Sequence, residues 1–104
     1  MYKKTFYLVT GEDKIMQILC TNLFEEQLKN ILQKFAQEDL SATKNFKVYL
    51  DTIIINIPTK AQKYKKSIYF DDENIKDLEH QGFIIPFYID QANNSYLILG
   101  IIEK

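Results

Sequence analysis

Phe24, Leu28, Ile31, Leu32 and Phe35 are spaced at offsets of 4, 7, 8 and 11 residues, which places all five on one face of a helix with 3.6 residues per turn. An apolar stripe of that width must be covered, so the rest of the chain has to supply a matching apolar surface. The segment also carries a start signal. Asn22 is followed three residues later by Glu25, a pair able to satisfy amide groups left free in a first helical turn. The spacing predicts a helix from about Leu23 to Glu38. With 104 residues and 46% apolar content, the chain has the size of one domain, residues 1–104, with one core.

The covering surface is expected from strands. Tyr2 to Thr10 alternates, with Tyr2, Lys4, Phe6 and Leu8 on one face and Lys3, Thr5, Tyr7 and Val9 on the other. "GED" then turns into "KIMQILC", so a hairpin opens the fold. From Asn45 to Pro58 the chain again reads as extended: Phe46, Val48 and Leu50 alternate against Lys47, Tyr49 and Asp51, ahead of the β-branched run "TIIINIP". Periodicity leaves open whether this is one bent strand or two. Pro58 ends it or marks an edge. "SIYF" reads as a short strand. In "DDENIKDLEHQGF", Asp71 or Asp72 caps a short helix with Ile75 and Leu78 on one face and Gly82 closing its end. "FIIPFYID" and "YLILGIIE", joined at "QANNS", form a closing hairpin whose near-continuous apolar character suits central strands.

Several chemistries are excluded. A net charge of -1 and a pI near 5.8 argue against a body that acts as an electrostatic clamp, so any anion-binding role must be local. All thirteen basic residues are lysine, and sequence-specific reading of duplex DNA favours the planar fork of arginine. Cys20 is the sole cysteine, which forbids an internal disulfide and fits a reducing, cytoplasmic setting. The N-terminal apolar run is cut by Gly11-Glu12-Asp13 and lacks the pattern of a signal peptide. No apolar stretch has the length of a membrane span, and no membrane role is expected.

Candidate catalytic and metal-binding residues each have a structural explanation. His80, the sole histidine, is expected near a helix C-terminus, and Cys20 as a buried, inert thiol. The acids Asp71, Asp72, Glu73, Asp77 and Glu79 lack the alternation and central glycine of a calcium loop and are read as helix-capping groups. Gly11, Gly82 and Gly100 are isolated, so no phosphate-cradling loop exists. Neither an enzymatic activity, a metal nor a cofactor is expected.

The stretch "TKAQKYKKSIYF", Thr59 to Phe70, carries four lysines, two tyrosines and no acid. If it is extended, Lys63 and Lys65 project to one side and Tyr64 and Lys66 to the other. Lys60, Lys63, Lys65 and Lys66, with Tyr64 and Tyr69, and with Lys47 and Tyr49 from the preceding segment, are the candidate site. A positive groove with aromatic platforms holds single-stranded RNA. Two alternatives stand beside it: a lysine-protected edge with no ligand, and a surface for a protein with an acidic patch.

The order of elements, from opening hairpin "KKTFYLVTGEDKIMQILC" through long helix, "FKVYLDTIIINIP", lysine segment and short helix to closing hairpin "FIIPFYIDQANNSYLILGIIE", resembles that of the small PrgU-type proteins of enterococcal pheromone-responsive conjugative plasmids. Their fold is similar to the PUA domain of RNA-modifying enzymes. The resemblance implies a PUA-like fold and a role in restraining production of a plasmid-encoded surface adhesin, through its transcript. The expected fold is α+β: a small, mixed, mostly antiparallel and strongly bent sheet of five to seven strands, closing toward a barrel, with one long and one short helix. The expected function is that of a non-enzymatic regulator that binds RNA. The alternative is a protein-interaction module that inhibits or sequesters another protein.

Overall fold

The computed structural model describes residues 3–11 and 14–104, with side chains described from Met16 onward. The face assignment proposed for Tyr2 to Thr10 and the Glu12-Asp13 part of the first turn lie outside the described residues. The backbone of that region forms strands β1 (Lys3–Gly11) and β2 (Lys14–Thr21), paired antiparallel with a register shift between Thr5 and Tyr7.

The amphipathic segment folds as helix α1 (Asn22–Ala36), with Phe24 and Leu28 buried. Its cap is Thr21 rather than Asn22. The Thr21 hydroxyl accepts from the Phe24 N–H at 3.1 Å and donates to the Leu99 carbonyl at 2.9 Å, so one side chain starts the helix and ties it to the far end of the chain.

Residues read as a strand from Asn45 to Pro58 form helix α2 (Leu40–Ile55), capped by Asp39, whose carboxylate accepts from the Ala42 N–H at 3.0 Å. Phe46, Leu50, Ile54 and Ile57 are buried, and their spacing of 4, 4 and 3 residues is helical. Burial of that row outweighs the modest strand preference of Ile53, Ile54 and Ile55. A short helix α3 (Ile57–Lys60) follows, with Pro58 in its first turn, where a missing N–H costs nothing.

"SIYF" forms no strand, and "DDENIKDLEHQGF" is not a helix. Its second half is strand β3 (Ile75–His80), joined to β4 (Phe83–Asp90) by the two residues Gln81 and Gly82, with φ of 47° and 86°. Two positive φ values in succession are what a two-residue hairpin needs to match strand twist. Gly82 therefore closes a hairpin, and His80 lies in a strand rather than at a helix end.

Strand β4 also pairs antiparallel with β5 (Ser95–Ile98) along one half and with β6 (Ile102–Glu103) along the other, while β5 runs parallel to β2. The order is β1-β2-β5-β4-β3. With β1 and β3 as separate edges, the mixed sheet is open, and the expected closure toward a barrel is overturned. The result is a small α+β domain with three helices and a mixed sheet.

The interruption between β5 and β6 has a chemical cause. Leu99 N–H donates to the Pro86 carbonyl at 2.9 Å, but Pro86 has no N–H to return. The Leu99 carbonyl takes the Thr21 hydroxyl instead. Two residues on, the Ile101 N–H donates to Gln27 Oε1 at 2.9 Å. A Cβ on Gly100 would lie 2.8 Å from that same oxygen, so a larger residue there would turn the Gln27 side chain away and break this bond.

Strand alternation sorts the sheet into two faces. Ile18, Cys20, Leu78, Phe83, Ile85, Phe87, Ile89 and Ile98 face the helices and join Phe24, Leu28, Phe46, Leu50, Ile54 and Ile57 in one core. Ile75, Asp77, Glu79 and Ile84 face away from it.

Candidate functional site

The lysine segment runs along the β3 edge. Lys60 ends α3, Lys63 ends a 3-10 turn (Ala61–Lys63), and the chain then pairs briefly with β3: Ser67 N–H donates to the Ile75 carbonyl at 2.8 Å and Asp77 N–H to the Lys65 carbonyl at 3.1 Å. This pairing covers the first half of the edge. Beyond it lies a groove of about 490 Å³ lined by Lys63, Tyr64, Lys65, Lys66 and Ile68 on one side and by Asp77, Glu79, Ile84 and Lys104 on the other.

The loop that closes the groove is built from its own polar groups. Asp77 Oδ2 accepts from the Ile68 N–H at 3.0 Å, Ser67 Oγ from the Tyr69 N–H at 3.1 Å, and Asp72 Oδ1 from the Asn74 N–H at 2.8 Å. Lys66 Nζ spans the loop to Asp71 at 3.1 Å and Glu73 at 3.8 Å, and the Asp71 contact with these charges raises the Lys66 pKa. These bonds leave three consecutive apolar side chains turned outward: Ile68 is 82% exposed, Tyr69 46% and Phe70 42%. Asp77 Oδ1 is buried and has no hydrogen-bond partner among the described residues, an acceptor that a bound donor would satisfy.

The eight residues expected to hold RNA are only partly brought together. Lys63, Tyr64, Lys65 and Lys66 line one groove, with Tyr69 on the adjoining loop. Lys47 and Tyr49 stand on α2 and are no continuation of a strand; Lys47 is paired with Asp51 at 2.8 Å in an i, i+4 ion pair. Lys60 does not line the groove. Tyr64 is half-buried where it lines the groove. Its ring packs edge-on against Phe87 with centroids 5.6 Å apart, and burial raises its hydroxyl pKa. Ile68, Phe70, Asp77, Glu79, Ile84 and Lys104 were not legible as a group. The one local signal was "IYF" between lysines and acids, an apolar run too short to cross a sheet.

His80 and Cys20 lie on the helix side of the sheet, away from the groove. Cys20 is fully buried and His80 is 5% exposed. The His80 ring sits 5.2 Å from that of Phe46, and burial pushes its pKa below the ordinary 6.5, a shift partly opposed by a hydrogen bond with the Phe46 backbone. Among the described residues, no three His, Cys, Asp or Glu side chains group to hold a metal ion, and no helix is long and apolar enough to cross a membrane.

No family model matches the chain, and no curated protein matches it. The element order that suggested the PUA-like resemblance is broken by α2 and β3, the barrel it implied is not formed by the open sheet, and the RNA-binding and enterococcal associations that came with it are left unsupported.

Proposed function

We propose that the protein acts by binding another protein, without chemistry of its own, through the surface formed by the Lys63–Lys66 groove and the Ile68-Tyr69-Phe70 tip. The observation that carries this reading is Ile68, an isoleucine 82% exposed at the tip of a loop and held there by its own N–H on Asp77. Contiguous exposed apolar side chains with a polar rim are a common mark of a protein contact. Aromatic residues such as Tyr69 and Phe70 are favoured at the centre of such contacts, where they bury large area with little entropy to lose. The lysines supply orientation. A rim charge mainly steers encounter and rejects wrong partners.

Capture from cells with the tagged protein, followed by titration of the recovered partner in purified form, tests this. Ile68→Asp is expected to weaken binding by at least about tenfold, as substitutions at central interface residues do, with an unchanged denaturation midpoint. The reading is overturned if Ile68→Asp binds like the parent protein. It is equally overturned if the purified protein instead retains single-stranded RNA with a salt dependence that Lys63→Ala and Lys65→Ala flatten.

A further inference from the structure

We propose that the groove and the tip are two halves of one self-complementary contact, so that the partner of this surface is a second copy of the chain. The inference rests on reading this surface as a protein contact, and it adds the identity of the occupant. Two properties point to it.

The first is shape. Tyr69 and Phe70 project outward, while the neighbouring groove of about 490 Å³ has Ile68, Tyr64 and Ile84 in its lining. Ile68 belongs to both features, so knob and groove adjoin on one molecule. The knob does not fill its own groove, because the bonds from Ile68 N–H to Asp77 and from Tyr69 N–H to Ser67 hold the loop turned out. A second copy related by a two-fold axis presents its knob to this groove while its own groove receives the first knob, and the contact closes at two subunits.

The second is charge. Four lysines and two carboxylates line the groove, with Lys104 and Glu79 neutralising each other at 3.1 Å. Among the described residues, Lys63 and Lys65 have no carboxylate within ion-pair distance. The chain leaving the knob carries Asp71, Asp72 and Glu73 in succession with no cation, and Lys66 alone reaches across to two of them. Seating the knob of one copy brings an acidic arm to the other copy's lysines, twice over in the symmetric pair. Opposite potentials that meet in this way fix register as well as partner.

The test is sedimentation velocity over a concentration series, using two charge-reversed variants, Lys63→Glu with Lys65→Glu and Asp71→Lys with Glu73→Lys. The parent protein is expected to pass from monomer to dimer. Each variant alone should remain monomeric at concentrations where the parent is dimeric, and an equimolar mixture of the two should dimerise, because reversal on both sides restores attraction at both ends. Phe70→Ser, which leaves every charge in place, should also be monomeric. Far-ultraviolet dichroism and the denaturation midpoint verify that each variant is folded. A parent protein that stays monomeric up to millimolar concentration overturns the inference, as do variants that dimerise like the parent or a folded mixture that stays monomeric. If the parent is monomeric and Ile68→Asp still abolishes binding of a captured protein, self-association alone is wrong. If Ile68→Asp changes nothing, the surface itself is misread.

Discussion

Gly100→Ala probes the joint between α1 and the sheet. The new Cβ would stand 2.8 Å from Gln27 Oε1 and 3.8 Å from Gln27 Cδ, with no backbone atom nearby. The glutamine can rotate away, so the clash itself relaxes at small cost. What is lost is the bond from the Ile101 N–H to Gln27 Oε1, 2.9 Å long and partly buried. Leaving such an N–H without an acceptor costs about 1–3 kcal/mol. Alanine returns about 0.4–1 kcal/mol by restricting the unfolded chain, so the net loss should be about 1–2 kcal/mol. Urea denaturation of the parent, Gly100→Ala, Gln27→Ala and the double variant reads this as a shift in midpoint at constant slope. In the Gln27→Ala background the Ile101 N–H is already unpaired, and Gly100→Ala should be neutral or slightly stabilising. A loss of equal size in both backgrounds would refute the reasoning and assign the cost to the backbone at residue 100.

Other consequences concern the elements that the sequence misrepresents. Leu50→Ala, at a fully buried position on α2, should cost about 2–5 kcal/mol through lost burial and a residual cavity, measured by the same denaturation. Asp39→Ala should cost about 0.5–2 kcal/mol by removing the α2 cap, and Asp39→Asn should restore most of it; a strand over these residues would show neither effect. For His80, the folded state holds the imidazole below its ordinary pKa of 6.5, so the unfolded chain binds the proton first and stability falls as pH drops through and below that value. The stability of His80→Phe should lack this component, and a midpoint difference from the parent that does not change between pH 7.5 and 5.5 would show that His80 protonates equally in both states.

The contrast between α1 and α2 shows what is readable without a structure. In α1, the apolar row and a nearby cap agree, and the helix can be placed to within two residues. In α2, Phe46, Val48 and Leu50 alternate over a window too short to separate a period of 2 from one of 3.6, and the β-branched run from Ile53 to Ile55 biases the choice toward a strand. The row from Phe46 through Leu50 and Ile54 to Ile57 resolves it only when read together with Asp39, six residues before the segment considered extended. In β3, Ile75 and Leu78 are buried on opposite faces, which mimics a helical offset of three. Of the carboxylates in the loop before it, Asp72 accepts from a loop amide and Asp71 and Glu73 face the Lys66 ammonium, rather than a helix N-terminus. The groove was half legible, because its lysines are contiguous in sequence, whereas Asp77, Ile84 and Lys104 reach it only through the pairing of β3, β4 and β6. Nothing local to Tyr64 reveals its contact with Phe87.

The most direct measurement of the central claim is hydroxyl-radical footprinting of Tyr69 and Phe70, in the dilute isolated protein and again in the associated state, whether that state is the dimer or a complex with a captured protein. Tyr49, 56% exposed on α2 and outside the groove, serves as the internal reference. Association through the tip requires Tyr69 and Phe70 to react readily in the isolated protein and to lose most of that reactivity in the associated state, while Tyr49 is unchanged. If Tyr69 and Phe70 keep their reactivity in an associated state that protects other residues, the Ile68-Tyr69-Phe70 surface is not where this protein meets its partner.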